Sequence, residues 1–179
     1  MNTQPNPLTA LMLISLLSVQ VSVSIGQDSS AEKDVSSLDN IVNALYASIS
    51  GEKGEPRDWD KFRKLFVEEA RLIPTGIDSS GNIRLGTWTP EQYVQNANDW
   101  LVQNGFHENE IHRVTETFGN LTHIFSTYES RHSRHDEKPF SRGINSIQLL
   151  NDGKRWWVVN IYWLSENEKN PIPDKYLPN

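Results

Sequence analysis

The sequence predicts an α+β domain in which three helices close one side of a curved antiparallel sheet. Residues 35–105 hold three stretches with helical spacing and helix-start signals, interrupted only by a short hairpin. Residues 110–164 instead read as four successive strands joined by turns. Helices segregated from a strand meander define the α+β class, and a meander this long must bend to bury its apolar face.

The elements follow in order. Val35, Leu38, Ile41, Val42, Leu45 and Ile49 recur at three- and four-residue steps and give the first helix one apolar stripe, which the Gly-containing run from Gly51 ends. Asp58 is placed to cap a second helix whose Trp59, Phe62, Leu65 and Phe66 share a face. A short strand over 70–74 turns through Asp78, Ser79, Ser80, Gly81 and Asn82 and returns over 83–88. Thr89, Pro90 and Gln92 supply the N-cap, first-turn proline and capping-box partner of a third helix. That helix carries Tyr93, Ala97, Trp100 and Leu101 on one side and stops at Gly105. Strands over 110–118, 121–131, 140–150 and 155–164 are rich in β-branched and aromatic residues, and the tail over 166–179 contains three prolines and reads as an extended strap. One domain over 35–165 accounts for most of the 179 residues.

The N-terminal stretch is of another kind. Residues 8–25 are largely apolar, no charged residue precedes position 27, and Ser24 and Gly26 stand at the spacing of a signal-peptidase site. We therefore read 1–26 as a signal peptide without a basic n-region, 27–34 as a disordered lead-in, and the mature protein as periplasmic or secreted with no stable membrane anchor. Cysteine is absent, which excludes disulfides, thiol catalysis and Cys-ligated metal. A formal net charge of −6 without a Lys/Arg cluster gives no footprint for nucleic acid.

Four local features resemble the NTF2-like (SnoaL-like) superfamily: a first helix ending in LYASIS, RDWDKFRKLFVEEARLIPTG as a helix running into a strand, TPEQYVQNANDWL as a helix, and GKRWWVVNIYWLSE as a Trp-rich closing strand. The resemblance covers about residues 35–165 and implies a cone-shaped fold with an internal pocket, commonly dimeric through the sheet. It does not imply one activity, because the cone hosts isomerases, dehydratases, cyclases, hydrolases and non-catalytic modules.

In the ketosteroid isomerases of that superfamily an Asp base works with a Tyr on the first helix. Tyr46 matches that Tyr loosely, but the four long strands carry no Asp, a departure from the isomerase pattern. Scytalone dehydratase uses His and Tyr. His123 and Tyr128 lie on one strand here, but alternation points them to opposite faces, so they cannot serve one site without a bulge. On the closing strand, Trp157, Val159, Ile161 and Trp163 form the apolar set expected to face the interior. Trp156, Val158, Asn160 and Tyr162 are expected to face outward, as a surface suited to a dimer. On the preceding strand the inward set stays open between Arg142, Ile144, Ser146, Gln148 and Gly143, Asn145, Ile147, Leu149. The run from His132 to Asp136 sits beside Arg131, Arg134 and Lys138 and reads as a solvated loop rather than a metal site. No Gly-x-Ser-x-Gly or phosphate-cradling loop is present, and no cofactor is implied.

The leading expectation is an exported domain that binds a small, largely apolar molecule in a pocket poor in acids. Trp59, Phe62, Trp100 and Trp163 are its expected aromatic walls, with Tyr46, His123 and Asn145 as its polar groups. The alternatives are an acid–base enzyme using His123 and Tyr46, and a non-catalytic dimerisation module.

Overall fold

The computed structural model describes residues 26–178. The proposed leader therefore lies outside the described residues, apart from Gly26. Helices α1 (Gly26–Asp34), α2 (Leu38–Ile49) and α3 (Trp59–Arg63) precede strands β1 (Phe66–Ile77) and β2 (Ile83–Leu85). Helix α4 (Pro90–Asn104) then leads into β3 (His107–Phe118), β4 (Leu121–Arg131), β5 (Ser141–Asn151) and β6 (Trp156–Ser165). The strands form one sheet in the order β2-β1-β6-β5-β4-β3.

The cap chemistry read from the sequence sets the helix starts. Asp58 accepts from the Lys61 amide, and Thr89 and Gln92 form a reciprocal capping box at the head of α4. Ser37 caps α2 by accepting from the Asn40 amide. Gly105 ends α4 at φ 72°, and a Cβ there would lie 2.3 Å from the His132 carbonyl oxygen, so only glycine fits.

Several expectations are corrected. Residues 27–34 are helical rather than disordered: α1 is polar, but its end is tied down by an Asp34–Lys61 ion pair at 2.8 Å and by the buried Val35, whose carbonyl accepts from the Trp156 amide. Helix α3 is only five residues long, so Phe66 opens β1 instead of continuing the helical face. The first strand is much longer than 70–74, and it pairs parallel with β6, making the sheet mixed rather than wholly antiparallel. Parallel pairing needs a long crossover, and here everything from β2 to β5 intervenes.

The facing pattern on β6 is also corrected, by a bulge. Gln148 pairs with Asn160 but Leu149 pairs with Val158, which leaves Val159 as the extra residue. The alternation therefore changes phase. Val158 is buried and Trp156 packs against the core, while Ile161 and Trp163 face inward as expected. Trp157 turns out to the Asp152–Arg155 turn, where its indole N–H donates to Asp152 and the Arg155 guanidinium sits 3.6 Å from its ring centre. On β5 the open choice resolves: Gly143, Asn145, Ile147 and Leu149 are buried.

The core lies between the concave face of the sheet and α2–α4. From α2 come Ile41, Val42 and Leu45, from β4 Ile124, from β5 Ile147, and from β6 Val158, all buried. One charge is sealed into it. Arg57 is only 6% exposed, and its guanidinium donates to the carbonyls of Ile49, Gly51, Glu52, Glu55 and Leu101. Ile49 ends α2 and Leu101 lies in the last turn of α4, so one cation ties two negative helix termini together. On the far side of the sheet the C-terminal tail runs back across β4. The Thr127 hydroxyl donates to the Tyr176 carbonyl at 2.6 Å, and the Tyr176 ring packs 5.0 Å from Phe125.

Candidate functional site

A cavity of about 120 Å³ opens between α2, α4 and the sheet. Leu45, Ile49, Leu72 and Ile161 supply its aliphatic wall. Its aromatic wall is continuous: Phe62 stacks on Tyr93 at 5.4 Å, and Tyr93 meets Trp163 edge to face at 6.4 Å. Tyr46, Phe106, Tyr128, Asn145 and Glu108 complete the lining.

The strands place the polar groups. Inward positions on β4 are Ser126, Tyr128 and Ser130, all buried, and Ser130 is paired with Glu108 of β3. Asn145 of β5 is paired with Ser126, so Glu108, Ser126 and Asn145 converge under α2, which contributes Tyr46. Alternation puts Glu108 and Glu110 on this side of the sheet, and a bulge at Ile111 then brings Arg113, opposite Ser126, to the same side. Tyr128 needs a second concession from the backbone. Its partner across the ladder is Gly143, where a Cβ would lie 2.5 Å from the Tyr128 hydroxyl. The missing side chain lets the ring lie flat over β5 and reach Ser165 at 2.9 Å.

The hydrogen bonds among these groups have one direction. Arg113 pairs with Glu110 at 2.6 Å, and Glu110 accepts from the Ser126 hydroxyl. With its own proton given to Glu110, Ser126 must accept from Tyr46, at 2.7 Å. Asn145 Nδ2 in turn donates to the Tyr46 oxygen at 3.1 Å. Tyr46 is therefore a fully occupied member of the chain rather than a free donor. Burial, and next the nearby charge of Glu108, push its phenol well above the usual tyrosine value.

Glu108 sits at the open end of this chain and is less well provided for. Its firm partner is the Ser130 hydroxyl at 2.8 Å, while Asn145 Nδ2 lies at 3.5 Å, a weak contact. No cation lines the cavity among the described residues. Burial dominates the two hydrogen bonds and raises its carboxyl to about 7. Tyr93 and Tyr128 face the same carboxyl. Both phenols are raised, first by their own burial, and Tyr128 is pushed up to about 12.

The residues expected at the site divide. Tyr46, Phe62, Asn145 and Trp163 line the cavity. Trp59, Trp100 and His123 do not, and those expectations are corrected. Trp59 stands behind the wall, edge-on to Phe62 and Tyr93, with its indole N–H donating to Asn98 at 2.7 Å. Trp100 is 47% exposed and joins Phe106, His132 and Phe140 in a surface cluster, one position round α4 from Leu101, which is buried. His123 lies on the outer face of β4, bonded to Ser146 at 2.9 Å and edge-on to Phe125. The expected lack of acids in the pocket is corrected too, by Glu108. That residue falls in a His-Glu-Asn-Glu run that reads as a polar connector, but Phe106 and Glu108 lie two apart, like inward neighbours on a strand.

No protein-family model matches the chain, and no curated protein does. Solved structures do resemble it. One is a protein of unknown function with a cystatin-like fold from Nostoc punctiforme, with TM-score 0.54 and 12% identity over 73% of this chain and 90% of that one. Another is LinA, with TM-score 0.53 and 9% identity over 70% of this chain and 81% of that one. A weaker likeness, TM-score 0.43 with 16% identity over 82% of this chain and 99% of that one, is to an NTF2-like protein of unknown function from Shewanella baltica. At such identities the likeness is one of fold: the chain has the NTF2-like, cystatin-like cone.

Proposed function

We propose that this NTF2-like cone binds one small, largely apolar molecule in its aromatic cavity, with the molecule's polar end at Glu108. The observation that carries the reading is a single carboxyl, weakly provided with partners, inside an otherwise aromatic and aliphatic wall. The size of the cavity, about 120 Å³, sets the scale of the ligand. An engineered apolar cavity of ~150 Å³ takes up benzene, so the ligand has on the order of five or six non-hydrogen atoms.

Thermal-shift screening of small apolar compounds on residues 27–179 tests this reading. Stabilisation by a subset of them is expected, and it should vanish in Ile161→Phe, which fills the cavity. A shift that survives that filling would place the ligand elsewhere, and no shift with any compound would favour a non-catalytic interaction module.

Acid–base catalysis is the second reading, and one feature favours it: a carboxyl poised near 7 is a competent proton acceptor at neutral pH. Glu108 takes the role first assigned to His123, and Tyr46 and Asn145 position its surroundings. Export and pairing of two copies remain part of the proposal. Export expects a mature chain beginning at Gln27, read by N-terminal sequencing of secreted material. Pairing through the outer sheet face is supported by Tyr162, which is 45% exposed there, and expects a doubled mass in light scattering that Tyr162→Glu halves.

A further inference from the structure

Three features of the cavity bear on the charge of its occupant. The first is the missing counter-charge. The firm donor to Glu108 is the neutral Ser130 hydroxyl, and the weak one is the neutral Asn145 amide. Among the described residues the other titratable groups around the carboxyl are phenols and one acid: Tyr46 from α2, Tyr93 from α4, Tyr128 from β4, and Glu110 behind Ser126, whose charge is already met by Arg113. The second is the supply of donors. The Tyr46 proton is committed to Ser126, and the Tyr128 hydroxyl is paired with Ser165. An anionic ligand would meet a carboxyl, with only the Tyr93 hydroxyl and the Trp163 indole N–H left unpaired in the lining among the described residues. The third is the wall itself. Tyr46, Phe62, Tyr93, Phe106, Tyr128 and Trp163 surround the space with aromatic rings, whose negative faces attract cations, most strongly where water is excluded.

We infer that the occupant of this cavity is a small organic cation, a primary to tertiary alkylammonium of roughly five or six non-hydrogen atoms. Its N–H donates to the Glu108 oxygen that Asn145 holds only weakly, and its alkyl groups lie against the rings and Leu45, Leu72 and Ile161. The ammonium supplies the counter-charge that the fold withholds, so Glu108 is ionised in the complex. This rests on the cavity reading above and narrows it to a ligand class.

Three probes of one shape decide it: isobutylammonium, isobutanol and isobutyrate, titrated calorimetrically into residues 27–179. At pH 8 isobutylammonium should bind about tenfold or more tightly than isobutanol, with isobutyrate weakest. An alkylammonium, like a lysine side chain, keeps its proton to about pH 10, so changes below that report the protein. The ammonium's advantage should shrink toward parity at pH 5.5, where Glu108 holds its own proton. Glu108→Gln, checked for folding by circular dichroism, should bring isobutylammonium down to the alcohol's level at pH 8. Isobutanol or isobutyrate binding as well as isobutylammonium at pH 8 overturns the cation assignment and leaves the apolar cavity standing. Failure of all three probes overturns both. If Glu108→Gln does not fold, the wild-type pH series decides alone.

Discussion

Arg57 and Glu108 are both charges drawn into the interior, and the protein treats them in opposite ways. Arg57 is given an acceptor for each of its five N–H groups: five carbonyls, two of them at the C-terminal ends of α2 and α4. Those oxygens are left over by the helices themselves, so the arginine satisfies orphan acceptors and a dipole at once. Glu108 has one firm hydrogen bond, one weak one and, among the described residues, no cation. The first arrangement closes a structure. The second leaves a charge whose solvation is incomplete until something enters the cavity, which is how a binding or catalytic group differs from a structural one.

The largest expected effect breaks the first half of that contrast. Arg57→Met should destabilise the fold by about 3–5 kcal/mol in urea unfolding, because it strips several buried carbonyls of their donor in one step. Arg57→Lys should recover little, since an ammonium cannot span acceptors on both helix ends. A loss below about 1 kcal/mol would show that water can replace the clamp.

Glu108 sharpens the other half through pH. Its carboxyl lies at about 7 in the folded chain against an ordinary 4.5, so between those values the native state holds a proton that the unfolded chain has released. Stability from this group is thus fully present below about pH 4.5 and falls as pH rises to about 7. Glu108→Gln should remove that decline and melt higher than the wild type at pH 8, with little difference at pH 4.5. Asp152 acts with the opposite sign and in a separate window. Held to about 2 by the Trp157 indole and the amides of Arg155 and Lys154, it contributes stability that is lost only as pH falls below its ordinary 3.8. Equal pH slopes in Glu108→Gln and wild type would mean that water reaches the carboxyl freely.

The smallest effect belongs to His123, the imidazole once set in Glu108's place. On the outer face its neighbours are Ser146, Phe125 and a Glu116 carboxylate 3.9 Å away. His123→Ala should cost less than about 1 kcal/mol and leave every ligand-induced thermal shift unchanged. A lost shift would mean that the outer face communicates with the cavity.

Much of the fold was legible in local chemistry. The capping box at Thr89 and Gln92, the Asp58 cap, the Asp78 turn and the glycine at 105 act within a few residues of themselves, so a linear reading finds them. The inward-facing role of Trp163 and the opposite facing of His123 and Tyr128 also followed from alternation alone. What failed was any inference carried across a bulge. Val159 exchanges the faces of Trp156 and Trp157, and no residue at that position announces the extra step. Residue type alone points Trp59 and Trp100 to a cavity wall, but which side of a helix meets a cavity depends on how the helix is docked.

The sequence by itself determined the cone: helices first, a curved sheet after them, caps and turns at their places, because those preferences reside in short-range backbone chemistry. Only the tertiary structure decided the pocket. Phe106 comes from just before β3, Glu108 from its start, Tyr128 from β4, Asn145 from β5 and Tyr46 from α2, and their meeting depends on cross-strand register and on a glycine at 143 that no single segment specifies. The raised carboxyl of Glu108 is a property of that meeting, since burial by distant segments, rather than any neighbour in sequence, removes the water that would otherwise hold its charge.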